Sequence, residues 1–195
     1  ASYVEQMFEA TANIADLVPL DADTWAGPHS FETAQRAVGG ACLAVDLVMQ
    51  NKASTAFSAM RPPGHHAEPE QAMGFCLFSS AAIAARHAQH VWGIDRVAVV
   101  DFDVHHGNGT QAAFWDDASL IYASSHQMPL YPGTGAANEQ GAHNNIFNLP
   151  CAPGMSGAAI IAVWRDHLLP PIVDAAPDLV IISAGFDAHI DDPLG

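Results

Sequence analysis

A chain of 195 residues that is 50% hydrophobic and only 14% charged can bury one sizeable core, which excludes an intrinsically disordered protein. Its 6 Lys+Arg against 21 Asp+Glu give a net charge of -15 and form no basic cluster; this excludes direct nucleic-acid binding and favours cationic ligands such as lysine-rich tails or polyamines. No apolar run approaches the roughly 18 residues that span a bilayer, no signal-peptide pattern opens the chain, and Cys42, Cys76 and Cys151 form no C-x-x-C pair. The expectation is a soluble cytoplasmic protein with free thiols and no membrane partner.

In chain order, Tyr3 to Ile14 has helical character and is followed by a Pro/Asp/Gly-rich connection around Leu20 to Pro28. Ser30 or Thr33 caps a predicted helix through Met49, with Gly39-Gly40 permitting close packing. Thr55 to Met60 predicts a short strand. The next residues, Arg61-Pro-Pro-Gly-His-His-Ala-Glu68, form a loop stiffened by prolines that presents His65 and His66 side by side. Gly74-Phe-Cys-Leu-Phe78 then leads into an alanine-rich helix, Ser79 to Val91, with a Ser start.

Val97 to Val100 form a valine-rich run of the kind buried on both faces of a parallel sheet. In an extended chain alternate side chains share a face, so Asp101, Asp103 and His105 project together at the strand's carboxyl end, where open α/β sheets place ligands. Gly107 to Gly109 supply a turn, and Thr110 is the expected N-cap of a helix from Gln111 to Trp115. Further strands are predicted at Ser119 to Ala123, running into Ser124-Ser125-His126, and at Asn144 to Leu149. Met155 to Asp174 predicts a long amphipathic helix broken near Pro170-Pro171, and Asp178 to Ser183 a buried strand that runs into Ala184-Gly-Phe-Asp187. Alternation of strand and helix argues for an α/β fold, a doubly wound and mainly parallel sheet with helices on both faces.

Two strands thus end in acidic and imidazole side chains. If they are neighbours, Asp103, His105 and Asp187 supply two carboxylates and one imidazole to a divalent cation. Three protein ligands leave a position open, the pattern of a catalytic zinc site. A neighbouring imidazole would then move the proton in amide hydrolysis, with Asp101 a natural partner for one of His65 and His66 and Asn108 for the other.

Arg61-Pro-Pro-Gly-His-His-Ala, Gly74-Phe-Cys, Asp101-x-Asp-x-His-His-Gly-Asn-Gly-Thr110, Ser124-x-His126, Tyr131-Pro-Gly-Thr-Gly135 and Ser183-Ala-Gly-Phe-Asp-Ala-His189 together resemble the zinc-dependent histone deacetylase family from about Asp21 to Gly195. The resemblance is nearest to its class II and bacterial deacetylase-like branch, because Asn108 stands where class I enzymes have an aspartate. It implies the arginase/deacetylase fold, zinc on Asp103, His105 and Asp187, His66 as general base, and His65 backed by Asp101 as its companion. It also implies Phe75 and Tyr131 flanking the acyl-lysine channel, and a structural potassium ion at Asp101, Asp103, His105, Ser124 and Ser125. The implied substrate is an acetylated lysine in a peptide or protein, with an acetylated polyamine as the alternative, and a homo-oligomer is allowed.

The family's catalytic tyrosine lies in a glycine-rich segment beyond the third metal ligand, hence past Gly195; Tyr122 and Tyr131 belong to other motifs. Residues 1–195 are therefore expected to be a single catalytic domain lacking both ends, and a zinc-holding, acyl-lysine-binding module without catalysis is a further expectation for this piece. An arginase-like two-metal site fits the motif order poorly.

Overall fold

The structure, a computed structural model, describes residues 2–193, so the last two residues of the stretch over which the resemblance runs, Leu194 and Gly195, lie outside the described residues. Helix α1 (Tyr3–Ala12) begins at a capping box in which Ser2 and Glu5 satisfy each other's backbone N–H groups. The Asp-rich connection folds as a short antiparallel pair, β1 (Val18–Pro19) and β2 (Trp25–Ala26). Helix α2 (Ser30–Met49) packs along α3 (Ser80–Trp92), and alanines make the close approach possible: Ala34 and Ala37 of α2 and Ala82, Ala84, Ala85 and Ala88 of α3 are buried. Helix α3 ends at Gly93, whose φ of 66° is the left-handed conformation that lets its N–H close the last turn.

Then come β3 (Val97–Asp101), α4 (Asn108–Phe114), β4 (Leu120–Gln127), β5 (Ile146–Cys151), α5 (Gly157–Val163), a π turn (Trp164–Leu168), α6 (Leu169–Ala175) and β6 (Leu179–Ser183). The four longer strands form one parallel sheet in the order β5-β4-β3-β6. The period of two along β3 and β4 divides the core. Val97, Val99, Leu120 and Tyr122 pack with α2, α3 and Phe114 of α4, whereas Ala98, Ile121 and Ala123 pack with Leu168 and Ile172. Each fully buried aliphatic side chain among these contributes about 2 kcal/mol. The expected doubly wound arrangement is therefore present.

The order matters for function. From β3 the chain steps outward through β4 to β5, then returns over the other face to place β6 against β3's opposite side. The direction of winding reverses between β3 and β6, and such a switch point opens a crevice at the strands' carboxyl ends.

Several local expectations are corrected. Thr55 to Met60 is exposed loop rather than strand, because it has no ladder partner and instead borders a cavity of about 860 Å³ between α2 and β6. Helix α4 starts at Asn108 instead of at a Thr110 cap, since the backbone N–H groups of Gly109 and Thr110 both donate to His65 O and are satisfied without it. Neither Ser30 nor Ser79 caps its helix by a side-chain bond; the Ser30 hydroxyl accepts from Gly27 N at 2.9 Å. The expected break of the long helix near Pro170-Pro171 takes the form of the π turn between α5 and α6, with both prolines in the first turn of α6, and the helix starts at Gly157 rather than Met155. Beyond these, β4 runs on through Ser124, Ser125 and His126.

Candidate active site

Three segments meet at the crevice: the His65–His66 loop, the tail of β3 and the tail of β6. Strand β3 ends at Asp101, which is fully buried and in register with Ser124 on one side and Ser183 on the other. The pleat stops there. Asp103 and His105 are brought together by a turn in which His105 N donates to Asp103 Oδ1 at 2.8 Å, so the expected alternation names the right residues for the wrong local reason. Asp187 arrives from β6 and fixes the turn by accepting from Val104 N at 3.0 Å.

The result is the expected cluster. Ligand atoms of Asp103, His105 and Asp187 lie within 4.8 Å of one another. His105 Nδ1 stands 2.8 Å from Asp187 Oδ2 and 3.1 Å from Asp103 Oδ1. Hydrogen bonds that the Asp103 and Asp187 carboxylates accept push the His105 pKa up to about 9, against the pull of burial. Two carboxylates and one imidazole make an oxygen and nitrogen donor set of the kind that suits a divalent cation. Among the described residues this is the one group of three or more His, Cys, Asp or Glu close enough to hold a metal. Close approach also depends on Gly185, because a Cβ there would run into the Asp103 carboxylate.

Opposite stand the two imidazoles, their ring centroids 4.0 Å apart. His65 Nδ1 is 2.9 Å from Asp101 Oδ2, and its Nε2 is 3.8 Å from Asp103 Oδ2. Burial pulls the His65 pKa down, but the facing Asp101 carboxylate, with Asp103 and Asp187 behind it, leaves it raised overall. His66 is the reverse case: burial first, then the positive field of His65, lower it to about 3. Its Nδ1 lies 2.9 Å from Asn108 Oδ1, and its ring centroid 5.9 Å from that of His105. The two adjacent imidazoles are thus shifted in opposite directions, His65 up by the Asp101 carboxylate against burial and His66 down by burial.

Tyr131 meets His66 edge to face, with centroids 5.0 Å apart and planes at 85°. Phe75 has a φ of 65° on the turn whose preceding residue, Gly74, packs against the His66 ring, and its side chain is half exposed. Ser124 and Ser125 flank Asp101 on β4, but their hydroxyls serve other groups: Ser124 Oγ lies 2.9 Å from His126 Nδ1, and Ser125 Oγ accepts from Trp164 Nε1 at 2.8 Å.

Sequence reasoning did not find the supports. Tyr122 donates to Asp101 Oδ2 at 3.1 Å and accepts from Gly107 N, so the carboxylate behind His65 is held from two sides. His106, lowered to about 4 chiefly by burial, spans Thr134 Oγ1 and Gln111 Oε1. Gln111 in turn donates to Glu139, which accepts from Gly135 N and Ala136 N and so anchors the loop carrying Tyr131. His106, Thr134 and Gly135 of this network lie in motifs legible in the sequence, whereas Gln111 and Glu139 carry no such signal.

A parallel, doubly wound sheet with an Asp-His-Asp cluster and paired imidazoles at its switch point defines a metal-site α/β domain of the arginase/deacetylase fold. The family is equally plain: the histone deacetylase domain matches residues 1–195, and the chain belongs to that family. The chain is 40% identical over 196 residues to histone deacetylase 14, chloroplastic, of Arabidopsis thaliana, covering 96% of this chain and 46% of that protein. The crystal structure of the HDA15 HD domain superposes with a TM-score of 0.94 at 39% identity, covering 100% of this chain and 56% of that one. Acetylpolyamine aminohydrolase from Burkholderia pseudomallei gives a TM-score of 0.84 at 36% identity, covering 90% of this chain and 52% of that one. The chain thus spans about half the length of the proteins it matches.

Proposed function

We propose that the chain is the metal-bearing part of a zinc-dependent amidohydrolase, one catalytic domain over residues 1–195, that removes acetyl or other acyl groups from ε-acetyl-lysine in histones or other proteins. The observation that carries this reading is geometric: the Asp103, His105 and Asp187 cluster, with ligand atoms within 4.8 Å of one another, faces the paired imidazoles of His65 and His66, whose ring centroids are 4.0 Å apart. Zinc on those three residues would supply a Lewis acid that polarises the amide carbonyl and acidifies water. His66, neutral and with Nδ1 engaged by Asn108, has Nε2 free to take a proton from the attacking water. The same nitrogen returns that proton to the lysine Nζ as the carbonyl carbon–nitrogen bond breaks, giving acetate and the free amine. His65 is held by Asp101, whose carboxylate favours its charged form, and the field of His65 favours the neutral form of His66. Phe75 and Tyr131 are proposed to flank the acyl-lysine, Tyr131 by its edge-on contact with His66.

Potassium is proposed beside the zinc, at Asp101, Asp103, His105, Ser124 and Ser125. Because both serine hydroxyls have other partners, the serines would contribute their main-chain carbonyls. The proposed compartment is the cytoplasm, in keeping with three free cysteines; no described helix is long and apolar enough to cross a membrane.

Release of acetate from an acetyl-lysine peptide by the zinc-loaded, full-length protein is the test, and no release from any acylated lysine would overturn the reading. A second reading, an acetylpolyamine amidohydrolase, is favoured by the likeness to the Burkholderia enzyme, while the net charge of -15 suits both substrates. Faster turnover of acetylputrescine or acetylspermidine than of peptide would select it.

A further inference from the structure

We infer that Glu68 is a positioning residue which, acting through the Asn108 amide, fixes the tautomer of His66. The inference rests on reading His66 as the proton carrier, but the chain of contacts stands on its own. Asn108 Nδ2 lies 2.7 Å from Glu68 Oε1, 3.3 Å from Met73 Sδ and 3.4 Å from His66 O. All three partners only accept, so this end of the amide is the NH2 group and the other end is the oxygen. The nearest is a carboxylate, and hydrogen bonds to a charged acceptor are about twice as strong as those between neutral groups. Asn108 Oδ1 then faces His66 Nδ1 at 2.9 Å and accepts its proton, leaving Nε2 with the lone pair.

An asparagine by itself would not choose. Turned over, its NH2 would donate to Nδ1 and drive the ring proton onto Nε2, the nitrogen that must stay bare to act as a base. Glu68 forbids that rotation, because it would set two oxygens against each other. Glu68 is itself fixed: its N–H donates to Gln71 O at 3.0 Å and its carbonyl accepts from Gln71 N at 3.3 Å, closing a tight turn. That turn follows directly on the His65–His66 loop, so base, amide and carboxylate are held by one short stretch and the first turn of α4.

The test reads the ring directly. In the full-length, 15N-histidine-labelled protein, with His66 identified by its loss in His66→Asn, long-range 1H–15N spectra should give a pyrrole-type Nδ1 and a pyridine-type Nε2. Glu68→Ala should shift both nitrogens toward averaged values and lower kcat by about tenfold or more while KM moves little. Glu68→Gln, which keeps an acceptor oxygen in the same place, should recover most of both signals. Glu70→Ala, on the exposed side of the same turn, should change neither. An unchanged His66 spectrum in Glu68→Ala overturns the inference. A shifted spectrum in a protein that hydrolyses no acyl-lysine upholds it and removes the deacetylase reading instead.

Discussion

His105 and Asp187, 82 residues apart in the chain, meet at 2.8 Å through Nδ1 and Oδ2. Neither has a reason to be near the other until β6 pairs with β3, so the contact makes the proposed metal site a property of the folded sheet.

Removing either partner should therefore remove the metal. Asp187→Ala or His105→Ala leaves two ligands of three, and zinc affinity is expected to fall by more than the roughly 100-fold that follows loss of a supporting residue alone. Competition with a chromophoric chelator measures it; full zinc occupancy in either variant would contradict the assignment.

His66→Ala should behave differently. It touches no proposed ligand atom through a hydrogen bond, so the zinc content should stay at the parent value while turnover falls about 10²- to 10⁴-fold, the usual contribution of a general base. Loss of zinc in this variant would show that His66 belongs to the metal set.

Gly185→Ala tests the approach of the two strand tails. The added methyl meets the Asp103 carboxylate, which must swing away. Zinc affinity should drop at least about tenfold, with cooperative unfolding retained; an unchanged affinity would mean that the tail of β6 yields instead.

His126 sets an acid limit on stability. It is buried on β4, with Nδ1 on the Ser124 hydroxyl and Nε2 donating to Gly135 O, and burial holds its pKa below 6.5. In acid the unfolded chain takes up a proton that the folded state refuses. The stability from this residue is therefore complete above about pH 6.5 and declines as pH falls below it. Urea midpoints between pH 8 and pH 5 should show the decline, to which the likewise lowered His66 and His106 contribute, and His126→Gln should make it less steep. Parallel curves for the two proteins would acquit His126.

How much of this was readable beforehand depended on whether the signal was local. Val97 to Val100 announced a buried strand because both faces are covered, and the residue types at 103, 105 and 187 announced that two carboxylates and an imidazole would cluster. Thr55 to Met60 was misread because strand formation needs a partner that no window of sequence reveals. Asn145 was invisible for a similar reason: its amide nitrogen is shared among the carbonyls of Phe114, Asp117 and Leu120, contacts that exist only after β5 pairs with β4. Glu68, an ordinary acidic loop residue by type, becomes informative only beside Asn108.

Strand β6 lies at the rim of the sheet with Val180 and Ile182 about half exposed and one row of backbone donors and acceptors unclaimed by any described strand. Such a margin is a template for self-association. Handled apart from any covering segment, these residues should grow into stacked assemblies, with light scattering that rises steeply with concentration. A lysine in place of Ile182, by placing a charge on that margin, should keep the solution clear.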